Sequence, residues 1–210
     1  MTSAPTPTPP RLSGVLGVAF VLGSVIAVSS LQEAHAMWTP DRVRSSIAEF
    51  ADKQVTELTR NNVPAGAQPA VEAFRRDLVA VELKRRPVVV ALALTNFVVG
   101  ALLTLSTAWA LRLRTRGRAW LLQTAGAAIG FSVVQIAIRA ALALEQAPLR
   151  AHLAAALAAN VPGLEALRDL ATWRWIAAVP PLLVGGIKVA FLVYLVMTLR
   201  RPAVRALYRA

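Results

Sequence analysis

The stretch VVVALALTNFVVGALLTLSTAWAL, residues Val88 to Leu111, decides the fold of this 210-residue chain, because it contains neither a charged residue nor a proline. A helix needs about 20 mainly apolar residues to cross roughly 30 Å of hydrocarbon. Three further stretches meet that requirement: Leu12 to Leu31, Ala119 to Leu144 and Trp175 to Leu199. The last two carry one cation each, Arg139 and Lys188, and no acid. In lipid the backbone must satisfy its own polar groups, so segments of this composition cross as helices. The expectation is an all-α, polytopic membrane helix bundle with four transmembrane helices and an extracytoplasmic helical hairpin.

The tryptophans fall where such a bundle meets water. Trp38 follows the first stretch, Trp109 and Trp120 flank the turn between the second and third, and Trp173 and Trp175 open the fourth. This is the placement of an interfacial aromatic belt. The first stretch has a second reading, since Arg11 before it and Ala34-His35-Ala36 after it resemble a secretory signal with a cleavage site. Its apolar run exceeds the usual signal length of about 7 to 15 residues, which favours a retained anchor.

Arginine placement sets the orientation, because short cytoplasmic loops collect Lys and Arg. Residues 112–118 carry Arg112, Arg114, Arg116 and Arg118, and residues 200–210 carry Arg200, Arg201, Arg205 and Arg209, without an acid in either segment. Residues 32–87 hold nine cations against eight acids, and residues 145–174 hold three of each. Both termini are therefore expected inside. Arg75, Arg76, Lys84, Arg85 and Arg86 conflict with this, lying just before residue 88 in the segment assigned outside. The expected order is a disordered tail (1–11), spans at 12–31, 88–111, 119–144 and 175–199, and an outer hairpin (32–87). A cytoplasmic Arg-rich turn (112–118), outer short helices (145–174) and a cytoplasmic basic tail (200–210) complete it.

The net charge of +12 thus reads as a topology signal facing anionic headgroups. No platform of interleaved basic and aromatic residues points to nucleic acid. The absence of cysteine excludes disulfides, thiolate nucleophiles and Cys-based zinc sites. The layout resembles that of tetraspanins and claudins, but those families carry paired loop cysteines. In composition the chain is similar to small Ala- and Arg-rich multi-span proteins of GC-rich bacteria, which implies a bacterial cytoplasmic membrane and no particular activity.

Within residues 32–87, Thr39-Pro40-Asp41 supplies a helix start. Val43, Ile47, Phe50, Ala51 and Leu58 then recur at helical spacing. After the breaker Asn61-Asn62-Val63-Pro64-Ala65-Gly66, a second stripe follows at Val71, Phe74, Leu78 and Val81. The two stripes, Phe50 and Phe74 included, are expected to pack together. Residues 145–174 repeat the pattern, with a helix over Leu149 to Ala159 and another over Leu164 to Ala171.

Lys188 lies eleven residues, about 17 Å, from Leu199, too deep to snorkel easily. Such a residue usually faces the bundle interior, and Asn96 and Gln135 lie near its height. Arg139, near the outer boundary, is expected to reach headgroups or Glu145. Lys188, Asn96, Gln135 and Arg139 are the candidate polar cluster. One reading is an interhelical hydrogen bond supported by close packing at Gly126-x-x-x-Gly130 and Gly186-x-x-x-Ala190. The other is a cavity for an anionic or polar substrate. His35 and His152 lack zinc-site spacing, and Asp52 and Glu57 punctuate an amphipathic helix, so no metal, cofactor or enzymatic activity is expected. The expected role is a structural or interaction component of an envelope complex, with lipid and a protein partner or second copy around it. A small transporter or pore subunit using Lys188 is the alternative.

Overall fold

The computed structural model describes residues 10–59, 63–112, 115–161 and 174–208, and every element among them is helical. In order these are α1 (Pro10–Ala36), α2 (Pro40–Thr59), a 3-10 turn (Ala65–Ala67), α3 (Gln68–Leu111) and α4 (Thr115–Asn160). A second 3-10 turn (Arg174–Ala178), α5 (Val179–Arg200) and α6 (Pro202–Leu207) follow. Four helical segments are long and apolar enough to span a membrane: Arg11–Ala36, Ala65–Leu111, Arg116–Asn160 and Trp175–Arg200. At most 28% of the apolar window in each is buried within the chain. The remaining apolar surface faces outward, as in a protein solvated by lipid tails.

Two of these helices are longer than their expected spans. The outer helix and the second span are one helix, α3, which runs through Pro87, and α4 likewise runs through Pro148. Each proline removes the bond to the carbonyl four residues earlier, at Leu83 and Leu144. The flanking turns and tertiary contacts carry the helix past the gap. The expected helix over Leu164 to Ala171 lies outside the described residues.

The chain forms two compact units, the first made of Met1–Gln32, Leu92–Gln135 and Val184–Ala210. Its core takes Leu12, Leu16 and Ala19 from α1, Leu103 and Ala110 from α3, Leu121, Ala125 and Ala128 from α4, and Leu192, Leu195 and Leu199 from α5. Steps of three and four keep each set on one helix face. Helices α1 and α3 cross with their backbones in near contact. A Cβ on Gly23 would meet the Thr104 nitrogen at 2.9 Å, and one on Gly100 would meet the Ala27 nitrogen at 2.7 Å. The motifs expected to pack closely do not do so within the chain: a Cβ on Gly126, Gly130 or Gly186 would meet nothing within 4 Å, and all three glycines are exposed.

The second unit comprises Glu33–Ala91 and Ile136–Leu183. Pro40 opens α2, and the Arg42 amide donates to Thr39 Oγ1 at 3.3 Å, the start expected from the sequence. Ala51 and Val55 of α2 pack on Val71, Phe74 and Leu78 of α3, and Leu153 and Leu157 of α4 complete the cluster. The expected two-helix hairpin is therefore a three-helix core, which solves the thinness of a pair. Phe50 departs from expectation. It is 44% exposed, because Ala51 and Val55 hold the buried stripe and turn Phe50 outward.

Candidate functional site

Lys188 stands midway along α5. Pro180 and Pro181 fall in the first turn of that helix, where their missing amides leave no bond unmade, so they start α5 rather than interrupt it. Pro181, Gly185 and Lys188 share a half-buried face, while Leu183, Val184 and Ile187 are exposed. The face turns the lysine inward. Its Nζ donates to Asn96 Oδ1 at 3.1 Å, and Asn96 Nδ2 donates to Ser30 Oγ at 2.7 Å. Because an ammonium only donates, the amide oxygen must face it, leaving the amide NH₂ for the serine. Three helices, α5, α3 and α1, are joined through buried Asn96 and Ser30.

The structure brings together Lys188 and Asn96 but not the whole expected cluster. Gln135 is buried in the same unit and takes no part in the bonds that join Lys188, Asn96 and Ser30. Ser132, one turn earlier on α4, is also buried, and its hydroxyl has no partner among the described residues. Arg139 belongs to the second unit and does not take Glu145. Its Nη2 donates to both carboxylate oxygens of Glu33, at 2.8 and 2.6 Å. Helix α1 extends to Ala36, which places Glu33 on a rigid helical turn within reach of that arginine.

Glu145 has another partner, Arg85, at 2.5 Å. The Arg85 side chain is 6% exposed and also faces Glu82 at 3.8 Å. Gln146 donates to Glu82 and accepts from Arg150, at 3.2 Å in the latter case. Burial pushes the Glu82 carboxyl above the usual carboxylate range, partly offset by the Arg85 charge, the Gln146 hydrogen bond and Arg150. Only half of this network is legible in the sequence. Glu82 and Arg85 stand at i,i+3 on one helix, but nothing in the sequence pairs them with Glu145 and Gln146, some sixty residues on.

Three of the other four basic residues just before Pro87 are also engaged, Lys84 being exposed. Arg75 pairs with Asp52 and Arg76 with Asp77. Arg86 donates to the carbonyls of Met37, at 2.9 Å, and Trp38, where α1 has ended and cations are favoured. Among the described residues no group of three His, Cys, Asp or Glu side chains converges on a metal position. No protein-family model, curated protein or solved structure matches this chain.

Proposed function

We propose that this chain is a multi-pass protein of a bacterial cytoplasmic membrane, serving as a structural or interaction component of an envelope complex. In this reading both termini are cytoplasmic and α1 is a retained anchor. Residues 32–87 and 145–174 stand outside the membrane.

One observation carries the structural reading: the polar side chain deep in α5 is engaged by Asn96, and Asn96 in turn by Ser30. A hydrogen bond of this kind fixes the register of helices that lipid tails alone would leave free to slide. Ala34, in the candidate cleavage motif, is buried and helical, and Leu12, Leu16 and Ala19 help build the core, which supports a retained anchor. The partners of Arg75, Arg76, Arg85 and Arg86 account for most of the charge that argued against placing residues 32–87 outside. Exposed Phe50 and the outward glycine faces supply surface for a neighbouring protein.

A transport role for Lys188 is the second reading, favoured because the lysine stands midway along α5 as the one charged residue in the apolar stretch 175–199. Mass measurement in mild detergent, with identification of co-purifying proteins, tests the first reading, which expects a stoichiometric partner or a second copy. Flux of small anions into reconstituted vesicles, lost in Lys188→Met, would replace it with the second.

A further inference from the structure

Charge is divided unevenly between the two units. All eleven acids belong to the second, whereas the first holds ten of the 23 cations and no Asp or Glu. Most of those cations gather where α3 turns into α4 and α5 turns into α6, and the two places adjoin: Arg118 Nε, at the start of α4, donates to the Leu199 carbonyl, near the end of α5, at 3.0 Å. The unit supplies no acidic side chain to balance this end.

Two further observations say what kind of anion suits it. Tyr208, just after α6, is 2% exposed, and its hydroxyl has no hydrogen-bond partner among the described residues, although a buried phenol normally has one. Burial raises the tyrosine pKa and the Arg118 charge lowers it, so phenol and guanidinium are within electrostatic reach of each other. Trp109 and Trp120, on either side of the Arg-rich turn, pair at 5.4 Å between ring centroids and are each about half exposed. Such aromatics sit at headgroup level.

We propose that Arg118 and Tyr208, at the end of the unit that also carries the exposed Arg112, Arg116 and Arg205, form a seat for the phosphate of an anionic phospholipid. A phosphodiester has acceptors for the guanidinium fork and the phenolic hydroxyl together, and its acyl chains continue along the apolar flank of the same unit. The inference rests on the membrane reading above.

The test uses the full chain in nanodiscs of phosphatidylcholine mixed with phosphatidylglycerol or cardiolipin, with retained lipid counted by native mass spectrometry. The wild type should retain the anionic lipid selectively. Arg118→Lys and Tyr208→Phe should each weaken retention about 2- to 10-fold, the worth of one hydrogen bond. Tyr208→Phe keeps the ring packing, so its effect is separable from a folding defect. Unchanged retention in both variants would overturn the proposal alone, and so would displacement of the lipid by millimolar inorganic phosphate, which would assign the seat to a soluble anion. Recovery of the expressed protein in the soluble fraction would overturn the membrane reading with it.

Discussion

The ammonium of Lys188 and the side-chain oxygen of Asn96 lie 3.1 Å apart although 92 residues separate them in the chain. The pair is asymmetric in what its loss exposes. Lys188→Met removes a cation whose central placement costs about 2.5 to 3.5 kcal/mol on insertion scales, offsetting the loss of the amide's partner, so stability should change by less than about 1 kcal/mol. Asn96→Leu takes an acceptor from the ammonium and a donor from Ser30 together, and should cost about 1 to 3 kcal/mol. Thermal unfolding in detergent measures both, and the reverse order would sink the assignment.

Arg85 and Glu145 differ in exposure, 6% against 58% for their side chains. Glu145→Gln weakens the pairing of a buried guanidinium whose Nε and Nη1 already lack hydrogen bonds, at a cost of about 1 to 3 kcal/mol. Arg85→Met leaves Glu145, which water can reach, and buried Glu82, whose already raised pKa lets it take up a proton instead, and should cost less. Chemical denaturation of the two variants side by side gives the order.

Glu82 gives the pH dependence. Its folded-state pKa is raised by burial, so the native state holds the proton more tightly than the unfolded chain. Its contribution to stability is complete below the unfolded carboxylate value and is lost as pH rises through the folded one. Glu82→Gln should therefore gain on the wild type as pH increases from about 4 to 7. Parallel unfolding curves for the two proteins across that range would contradict the raised value.

Phe74 and Phe50 should part company. Phe74→Asp forces an unpaired charge among Val71, Leu78 and Leu153, costing about 3 kcal/mol or more and opening the segment to limited proteolysis. Phe50→Asp lands on an exposed face and should change stability by less than about 0.5 kcal/mol. Equal sensitivity would mean that α2 is rotated.

Topology has its own measurement. Single cysteines at Arg116 and Thr56, in a chain with no native cysteine, should react in opposite ways with a membrane-impermeant thiol reagent in intact cells. Thr56→Cys should label and Arg116→Cys should be protected; the converse would invert the assignment.

Helix class and the four apolar helices were legible because lipid leaves a helix few alternatives to burying its own hydrogen bonds, and Leu12 to Leu31 or Val88 to Leu111 has the length required. The Lys188 to Asn96 contact was legible too, since depth along each helix follows from counting residues. What depth does not reveal is rotation. Gly126, Gly130 and Gly186 had the spacing of a packing motif but face away from the core, while Gly23-x-x-x-Ala27 and Gly100-x-x-x-Thr104, with the same spacing, make the close crossing. Arg139 choosing Glu33 over Glu145 has the same origin: height was right and azimuth was open. Pro87 and Pro148 hid the continuity of α3 and α4, because a proline alone does not say whether its neighbours will bridge the gap.

The core of the first unit bears on how the chain is made. Leu12 and Leu16 of α1 share a buried cluster with Leu192, Leu195 and Leu199 of α5. At roughly 5 to 20 residues per second, the ribosome delivers that last partner about ten to forty seconds after the first. Through that interval the first helix lacks its final neighbours, and the cluster closes only once α5 has been made. If, as proposed, the chain is a membrane protein, the nascent helix has to be sheltered until then by lipid or by the insertion machinery, so truncations before residue 192 should be the forms that quality-control proteases remove.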